Sequence, residues 1–361
     1  MRVLHVVESY GAGTVSAMVQ YVRATPELEH HLVRRLRHDD DHADDGELSL
    51  FASVHEMDDG LVNAVRSVRR AVKAVRPDVV HGHSSFGGAF ARAAAGRKPL
   101  VVHTPHCYAT ERQDLGRLSR GAYEVAERLL SYNTQVVAGC SVREVALGRS
   151  YAPRARHVFV PNVSDVVPDG FDRVSRLASS HLNHRSAAQP PDEPVLTAMG
   201  RLAEQRDPLA FLDIAKRLDG QAHARWIGDG DADLKAALVD GGVEVTGWLP
   251  RSEAIRLLGE STAYVHTARW DGAPMTMIEA HALGLPQVAI TTPAVADGPA
   301  AAVAADTAEL ADALTRLIKD PAERAANLAA WDGYFATATV ERQRAALLEA
   351  YGVTASSVAG A

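Results

Sequence analysis

Asp271 and Glu279 stand eight residues apart in Trp270-Asp-Gly-Ala-Pro-Met-Thr-Met-Ile-Glu279, and the residues between them suit a loop that enters a helix. Such a start is an anion site. Gly272, followed by Ala273, lets the backbone approach a ligand closely, and Pro274 suits a first helical turn. The amides of Met275, Thr276 and Met277 then point at whatever binds, because the first amides of a helix have no acceptor within it. Glu279 follows about one turn later on the same side, where a carboxylate can accept a hydrogen bond from each of two neighbouring hydroxyls of a ribose. An isolated acid pair of this kind also fits an ordinary surface loop and helix. The downstream Ala280-His-Ala-Leu-Gly-Leu-Pro286, leading into the strand-like Gln287-Val-Ala-Ile-Thr291, favours an αβ unit that presents the pair.

A second cluster opens the same half of the chain. Val195-Leu-Thr-Ala-Met-Gly-Arg-Leu-Ala-Glu-Gln-Arg-Asp-Pro208 reads as a strand, a turn at Gly200 and a helix from about Pro208, with Arg201 and Arg206 at the mouth of the loop. Two guanidinium groups with nothing acidic to neutralise both suit a diphosphate, which each can grip with paired N–H groups. In the first half, Val3 to Val7 is an apolar run of the kind found in buried parallel strands, followed by a turn with Gly11 and Gly13. The third glycine of a dinucleotide fingerprint is missing. His81 and His83 alternate at the end of another strand without a neighbouring carboxylate, and Pro99-Leu-Val-Val-His-Thr-Pro-His106 delivers polar groups at the carboxyl end of the next. The acidic run Asp39 to Gly46 reads as a solvated loop rather than a metal site.

The elements that must position these groups follow from periodicity. Gly60 to Arg76 is amphipathic, with Leu61, Val65, Val68, Val72 and Val75 at helical spacing. Ser141 with Glu144 forms a capping box, Thr307 to Lys319 reads as one helix and Ala322 to Tyr351 as another. From Pro168 to Pro194 this patterning gives way to Ser, His, Arg, Gln and Pro, which marks a linker with one weak helix around Phe171 to His181. Repeated strand-turn-helix units on either side predict an α/β protein of two Rossmann-like domains: 1–167, a linker 168–194, 195–335, and a C-terminal helical segment 336–361.

The 361 residues exceed one ordinary core, and a net charge of −7 without a basic half excludes nucleic acid as an evident partner. Only Cys107 and Cys140 are present, too few for a disulfide framework or a cysteine-based zinc site, so a reducing compartment is expected. The N-terminus goes straight into a strand rather than a signal peptide, and no apolar run reaches the ~18 residues of a membrane span. Localisation is therefore expected to be cytoplasmic, with any membrane role peripheral, at the inner face.

The spacing from Asp271 to Pro286 resembles the acidic-pair motif of the retaining GT-B glycosyltransferases of family 4, in which two Glu flank seven residues before Ala, a small residue, Gly and Pro. Here the first acid is one methylene shorter. The turns His83-Ser-Ser and Thr104-Pro-His106 resemble a branch of that family, with Cys107 in place of a glycine; Gly200-Arg-Leu resembles its Gly-Arg-Leu motif, with Arg206-Asp207 in place of Lys-Gly. Gly228-Asp-Gly230 and Gly247-Trp-Leu-Pro250 resemble two further turns, while Thr291 to Pro299 lacks the family's Gly-Gly loop.

The resemblance covers nearly the whole chain. It implies two facing Rossmann-like domains with a cleft between them, a nucleotide-sugar donor (a UDP-sugar first, a GDP-sugar next) and a glycan, lipid-linked or small-molecule acceptor. It places the Gly11 and Gly13 loop near donor phosphate and acceptor, His106 beside the transferred sugar, and Asp271 on that sugar's hydroxyls. Leu249 to Arg251 contact the nucleobase, Glu279 holds the ribose, and Arg201, Arg206 and the amides after Asp271 stabilise the departing diphosphate, with no metal or other cofactor required. A GT-B epimerase or phosphorylase, or a regulator that binds a sugar nucleotide without turnover, are the competing readings.

Overall fold

The computed structural model describes residues 1–35, 45–164, 166, 193–218 and 220–353. Most of the acidic run at 39–46, the linker with its helix at 171–181, and the tail 354–361 lie outside the described residues. Contacts divide the chain into a unit of 1–163 with 337–361 and a unit of 164–336.

In the first unit, strands β1 (Arg2–Val7), β2 (Glu29–Arg34), β3 (Ser53–Glu56), β4 (Val79–His83), β5 (Leu100–Thr104), β6 (Val136–Gly139) and β7 (Arg156–Phe159) form one sheet in the order β3-β2-β1-β4-β5-β6-β7. Every pairing is parallel. Helices must therefore cover both faces. Leu4 and Val6 of β1 join the core that holds Ala64, Val68 and Val75 of α3 (Leu61–Val75) and Phe90 of α4 (Ser85–Ala94). Val3, one residue out of phase, joins the opposite core with Tyr21 of α1 (Ala12–Ala24). Leu61, expected on the apolar face of α3, is 65% exposed at the helix's first turn.

The second unit repeats the plan with β8 (Val195–Met199), β9 (His223–Ile227), β10 (Glu244–Val245), β11 (Ala263–His266), β12 (Gln287–Ile290) and β13 (Val303–Ala304), ordered β10-β9-β8-β11-β12-β13 and again parallel. Phe211 and Ile214 of one helix (Pro208–Arg217) and Leu310 and Leu314 of another (Thr307–Lys319) bury one face with Trp226. Met277, Leu283 and Trp331 bury the other, with Ile227 and Tyr264.

The long helix expected from Ala322 to Tyr351 is broken. It forms Pro321–Tyr334 and Val340–Ala350, with Thr339 capping the second by accepting from the Arg342 amide at 3.3 Å. Its two arms serve different cores: Trp331 is buried in the second unit and Leu347 in the first. The later arm is tied to the first unit by Gln343, which donates to the Pro161 carbonyl at 2.9 Å, and by Arg156, which donates to the carbonyls of Glu349 and Ala350.

The turn after β9 crosses the turn after β8 so closely that only backbone fits between them. The Gly200 amide donates to the Ile227 carbonyl at 2.9 Å and the Leu202 amide to the Asp229 carbonyl at 2.8 Å. Gly228 has φ +137°, and a Cβ built there would sit 2.2 Å from the Gly200 oxygen. Because that neighbour is main chain, it cannot rotate away. Gly228→Ala is expected to cost about 3 kcal/mol through strain and overpacking. The check is thermal denaturation of the full chain, with the midpoint lowered by roughly 6–12 °C for a unit of this size; an unchanged midpoint would show that the two turns can part freely.

Candidate functional site

Strands β8 and β11 are neighbours at the point where the order of the second sheet reverses, and there the loops leaving their carboxyl ends diverge. The loop after β8 leads to the helix Pro208–Arg217 on one face, and the loop after β11 leads to Met275–Ala282 on the other. Main chain and side chain nevertheless stitch the loops together. The Thr267 hydroxyl donates to the Arg206 carbonyl at 2.7 Å, the Arg269 amide to the Gln205 carbonyl at 2.8 Å, and the Gln205 side-chain amide to the Trp270 carbonyl at 3.1 Å.

Arg206 completes the seam. Its guanidinium donates to Asp271, whose other oxygen accepts from the Gly272 amide at 2.8 Å. Gly200 leaves room for the Arg206 side chain: a Cβ there would lie 3.3 Å from its Nε. The expectation of two arginines with no acid to neutralise them is therefore corrected for Arg206, which meets one of the two predicted acids. Arg201 is exposed on the same loop, and no ion pair to it is formed among the described residues.

The helix after this loop runs from Met275 to Ala282 with Pro274 as its N-cap. The Met277 amide donates back to the Pro274 carbonyl at 3.1 Å, which withdraws it from the predicted anion site. The amides of Met275 and Thr276 precede any acceptor in the helix. Gly272, Pro274 and Met275 are buried, whereas Asp271, Ala273 and Thr276 are partly open. Thr276 is oriented by Tyr264, whose hydroxyl donates to it at 2.6 Å.

One turn on, Glu279 is only 2% exposed and accepts from Arg251 at 2.8 Å. Burial pushes its carboxyl above the ordinary 4.5, while the guanidinium groups of Arg251 and Arg206 pull it back. Arg251 is the first residue of the helix Arg251–Gly259, whose N-cap is Pro250. Leu249 is half-buried just ahead of it. Two carboxylates and two arginines thus interlock where the first amides of a helix open.

His266, at the end of β11, was not foreseen. It is buried, its Nδ1 lies 3.4 Å from the Tyr264 hydroxyl, and its Nε2 has no hydrogen-bond partner among the described residues. Burial lowers its pKa to about 4, so it is neutral at physiological pH. The alternation of Tyr264 and His266, two polar residues on one face of a buried strand, was the available signal.

In the first unit the predicted residues follow β1 and β5. Gly11 is the N-cap of α1 with an extended φ of −162°, a conformation open to any residue, and Gly13 lies within that helix. His106 follows β5 with φ +48° and Cys107 has φ +84°. Cys107 and Asp207 (φ +46°) both occupy positions where the resemblance expects glycine, so the left-handed backbone persists without the residue that adopts it freely. Each receives support. The Asp207 side chain caps the next helix by accepting from the Ala210 amide at 3.1 Å. The Cys107 amide donates to Glu144 at 2.5 Å, and the same buried carboxylate accepts from the Cys140 amide at 2.9 Å. The expected capping box is thus only half formed: Ser141 accepts from the Glu144 amide at 3.2 Å, but the Glu144 side chain is spent on the two cysteine amides.

Comparison with known proteins agrees with this arrangement. Residues 12–163 match the glycosyl transferase 4-like domain and residues 193–320 the domain of glycosyl transferases group 1. A UDP-Gal:alpha-D-GlcNAc-diphosphoundecaprenol alpha-1,3-galactosyltransferase of Escherichia coli is 27% identical over 244 residues, a stretch that takes in 61% of this chain and 59% of that enzyme. An uncharacterised 41.2 kDa protein in the cps region of Klebsiella pneumoniae is 22% identical over 80% of each chain. Among solved structures, Anabaena Alr3699/HepE in complex with UDP and glucose superposes with a TM-score of 0.70 at 12% identity over 100% of both chains. Sucrose-phosphate synthase from Thermosynechococcus elongatus does so with 0.71 at 14% identity, over 99% of this chain and 98% of that one. With each unit built on a parallel Rossmann-like sheet and each matched by a glycosyltransferase domain family, the chain belongs to the group 1 glycosyltransferases of GT-B fold.

Proposed function

We propose that the protein is a retaining glycosyltransferase that moves a hexose from a UDP-sugar to a hydroxyl of a glycan or lipid-linked acceptor. The observation that carries this reading is the interlocked Arg206–Asp271 and Arg251–Glu279 pairs beside the open amides of Met275 and Thr276. Cationic groups and a helix N-terminus suit the diphosphate, and a buried carboxylate suits vicinal hydroxyls of the ribose. The Escherichia coli relative named for UDP-Gal and a diphosphoundecaprenol-linked sugar, and the neighbour solved with UDP and glucose, support a UDP-sugar over a GDP-sugar and favour a lipid-linked acceptor.

In this mechanism Arg201, Arg206 and the two amides stabilise the charge that grows on the departing diphosphate, without a metal. Asp271 holds Arg206 in place and orients the sugar, while Leu249 and Arg251 border the base. The acceptor hydroxyl attacks from the face that the diphosphate leaves, and a diphosphate oxygen takes its proton.

The test incubates the full chain with UDP-galactose, UDP-glucose or GDP-mannose, with EDTA or with magnesium, and with a polyprenyl-diphosphate N-acetylglucosamine as acceptor. UDP release with formation of an α-linked disaccharide-lipid, indifferent to EDTA, is expected. A β-linked product sinks the retaining mechanism. Tight UDP binding without turnover of any donor points instead to a sugar-nucleotide-binding regulator, and UDP-sugar epimerisation to an epimerase.

A further inference from the structure

Most of the large apolar side chains that the first unit leaves in solvent lie on one side of it. Helices α3, α4 and a third, α5 (Arg117–Leu130), stand side by side there: Arg69 of α3 donates to the Ala93 carbonyl of α4 at 3.2 Å, and Arg92 of α4 donates to Glu127 of α5 at 2.7 Å. In parallel strand-helix-strand units each helix begins at the carboxyl edge of the sheet. Leu61, Phe86 and Leu118, in the first turns of the three helices, are 65%, 43% and 92% exposed at that edge.

The polarity of α5 is reversed. Leu118, Ala122, Val125, Leu129 and, in the turn beyond, Tyr132 recur at intervals of four and three residues, a single stripe along the helix, and all of them are exposed. The one fully buried side chain of α5 is Glu127, on the opposite side, where its oxygens accept from Arg92 at 2.7 and 3.1 Å. Desolvating an ion pair is costly, and the same helix turns its leucine stripe outward instead of burying it. An exposed apolar stripe of this length marks a contact with something apolar.

The charge beside the stripe identifies that contact. In a chain of net charge −7, α3 carries Arg66, Arg69, Arg70 and Lys73 and no acid, and α5 begins with Arg117 and Arg120 nearby. Arg66, Lys73, Arg117 and Arg120 have no ion-pair partner among the described residues. A second copy of the chain would crowd these cations against their own counterparts, whereas an anionic bilayer meets them with phosphate and meets the stripe with acyl chain. We propose that this face of α3, α4 and α5 docks the first unit on a surface of anionic phospholipid. Leu118, Val125 and Leu129 enter the boundary between headgroups and acyl chains, and the α3 cations rest on the headgroups. The carboxyl edge of the sheet, where open α/β sheets take their ligands, is thereby held at the lipid surface.

Flotation of the full chain with vesicles, without donor or acceptor, tests the docking. Binding is expected to vesicles of equimolar phosphatidylglycerol and phosphatidylcholine, at least about tenfold tighter than to phosphatidylcholine alone, and to weaken as salt rises. Leu118→Ser with Leu129→Ser is expected to weaken it roughly tenfold while its salt dependence persists. Both side chains are exposed, so an unchanged melting temperature is the sign that the fold survives. Arg66→Gln with Lys73→Gln is expected to weaken binding roughly 20- to 30-fold, about fivefold per cation, and to flatten the salt dependence.

A full chain that stays in solution beside the anionic vesicles overturns the inference, as does binding that either pair of substitutions leaves unchanged. A concentration-dependent dimer in gel filtration that Leu118→Ser with Leu129→Ser dissolves also overturns it, since a second copy then covers the stripe. The docking stands on the first unit alone and goes beyond the proposed transfer. Vesicle binding without turnover of any donor upholds the docking and fails the proposed function, and transfer to a soluble acceptor without vesicle binding does the reverse.

Discussion

Glu279→Gln is expected to weaken UDP binding about 10- to 100-fold while leaving the protein at least as stable as the parent. The affinity loss follows from replacing a charged acceptor by a neutral amide, whose single oxygen cannot take both ribose hydroxyls as strongly. The stability effect follows from burial. The Glu279 carboxyl is 2% exposed and titrates above its ordinary 4.5 because burial penalises the charge more than Arg251 and Arg206 repay it.

The sign is that of a raised acid. As pH rises from 4.5 through the higher folded-state value, the unfolded chain gives up this proton first, so folding loses stability across that window and recovers none above it. Removing the titrating group abolishes that loss, and the variant should gain most relative to the parent at neutral pH. Calorimetric titration with UDP and melting curves at pH 4 and pH 8 test the two halves separately. Unchanged UDP affinity would end the ribose assignment, and a variant less stable than the parent at pH 8 would show that the Arg251 pair outweighs desolvation.

Arg206→Ala is expected to lower kcat by about 10²- to 10³-fold, the range found when one preorganised donor to a developing oxyanion is removed. A complication is visible in the site, because the Arg206 guanidinium already holds Asp271 and its loss leaves that partly buried carboxylate without its countercharge. Asp271→Asn and the double variant separate the two effects. If Arg206 acts on the diphosphate, the double variant stays as slow as Arg206→Ala. If Arg206 serves only to neutralise Asp271, the double variant recovers. Arg206→Lys should fall between, since it keeps a charge but not the planar fork that spans two oxygens. Wild-type turnover by Arg206→Ala would sink the assignment.

These experiments divide along what could be read from the chain and what could not. Apolar runs and helical patterning, with glycines and prolines between, located the strands at 3–7 and 287–290 and the helices at 61–75 and 307–319, because those signals are local. The acid pair Asp271 and Glu279 was legible for the same reason: both lie on one loop and the helix it enters. The single helix expected from Ala322 to Tyr351 failed because its apolar positions continue across a break whose two sides bury themselves in different cores.

Amino-acid order alone established the α/β class, the two-part plan and the residue types gathered at the carboxyl ends of strands. Tertiary structure decided what those residues meet. Asp271 turns onto Arg206 from 65 residues away, Glu144 serves the Cys107 amide from 37 away, and His5 joins His83 from 78 away. Each contact depends on which strands lie side by side. The β2-β1-β4-β5 order that sets His5 against His83 arises from packing helices over both faces of a twisted sheet, a cooperative outcome that no short window of sequence contains.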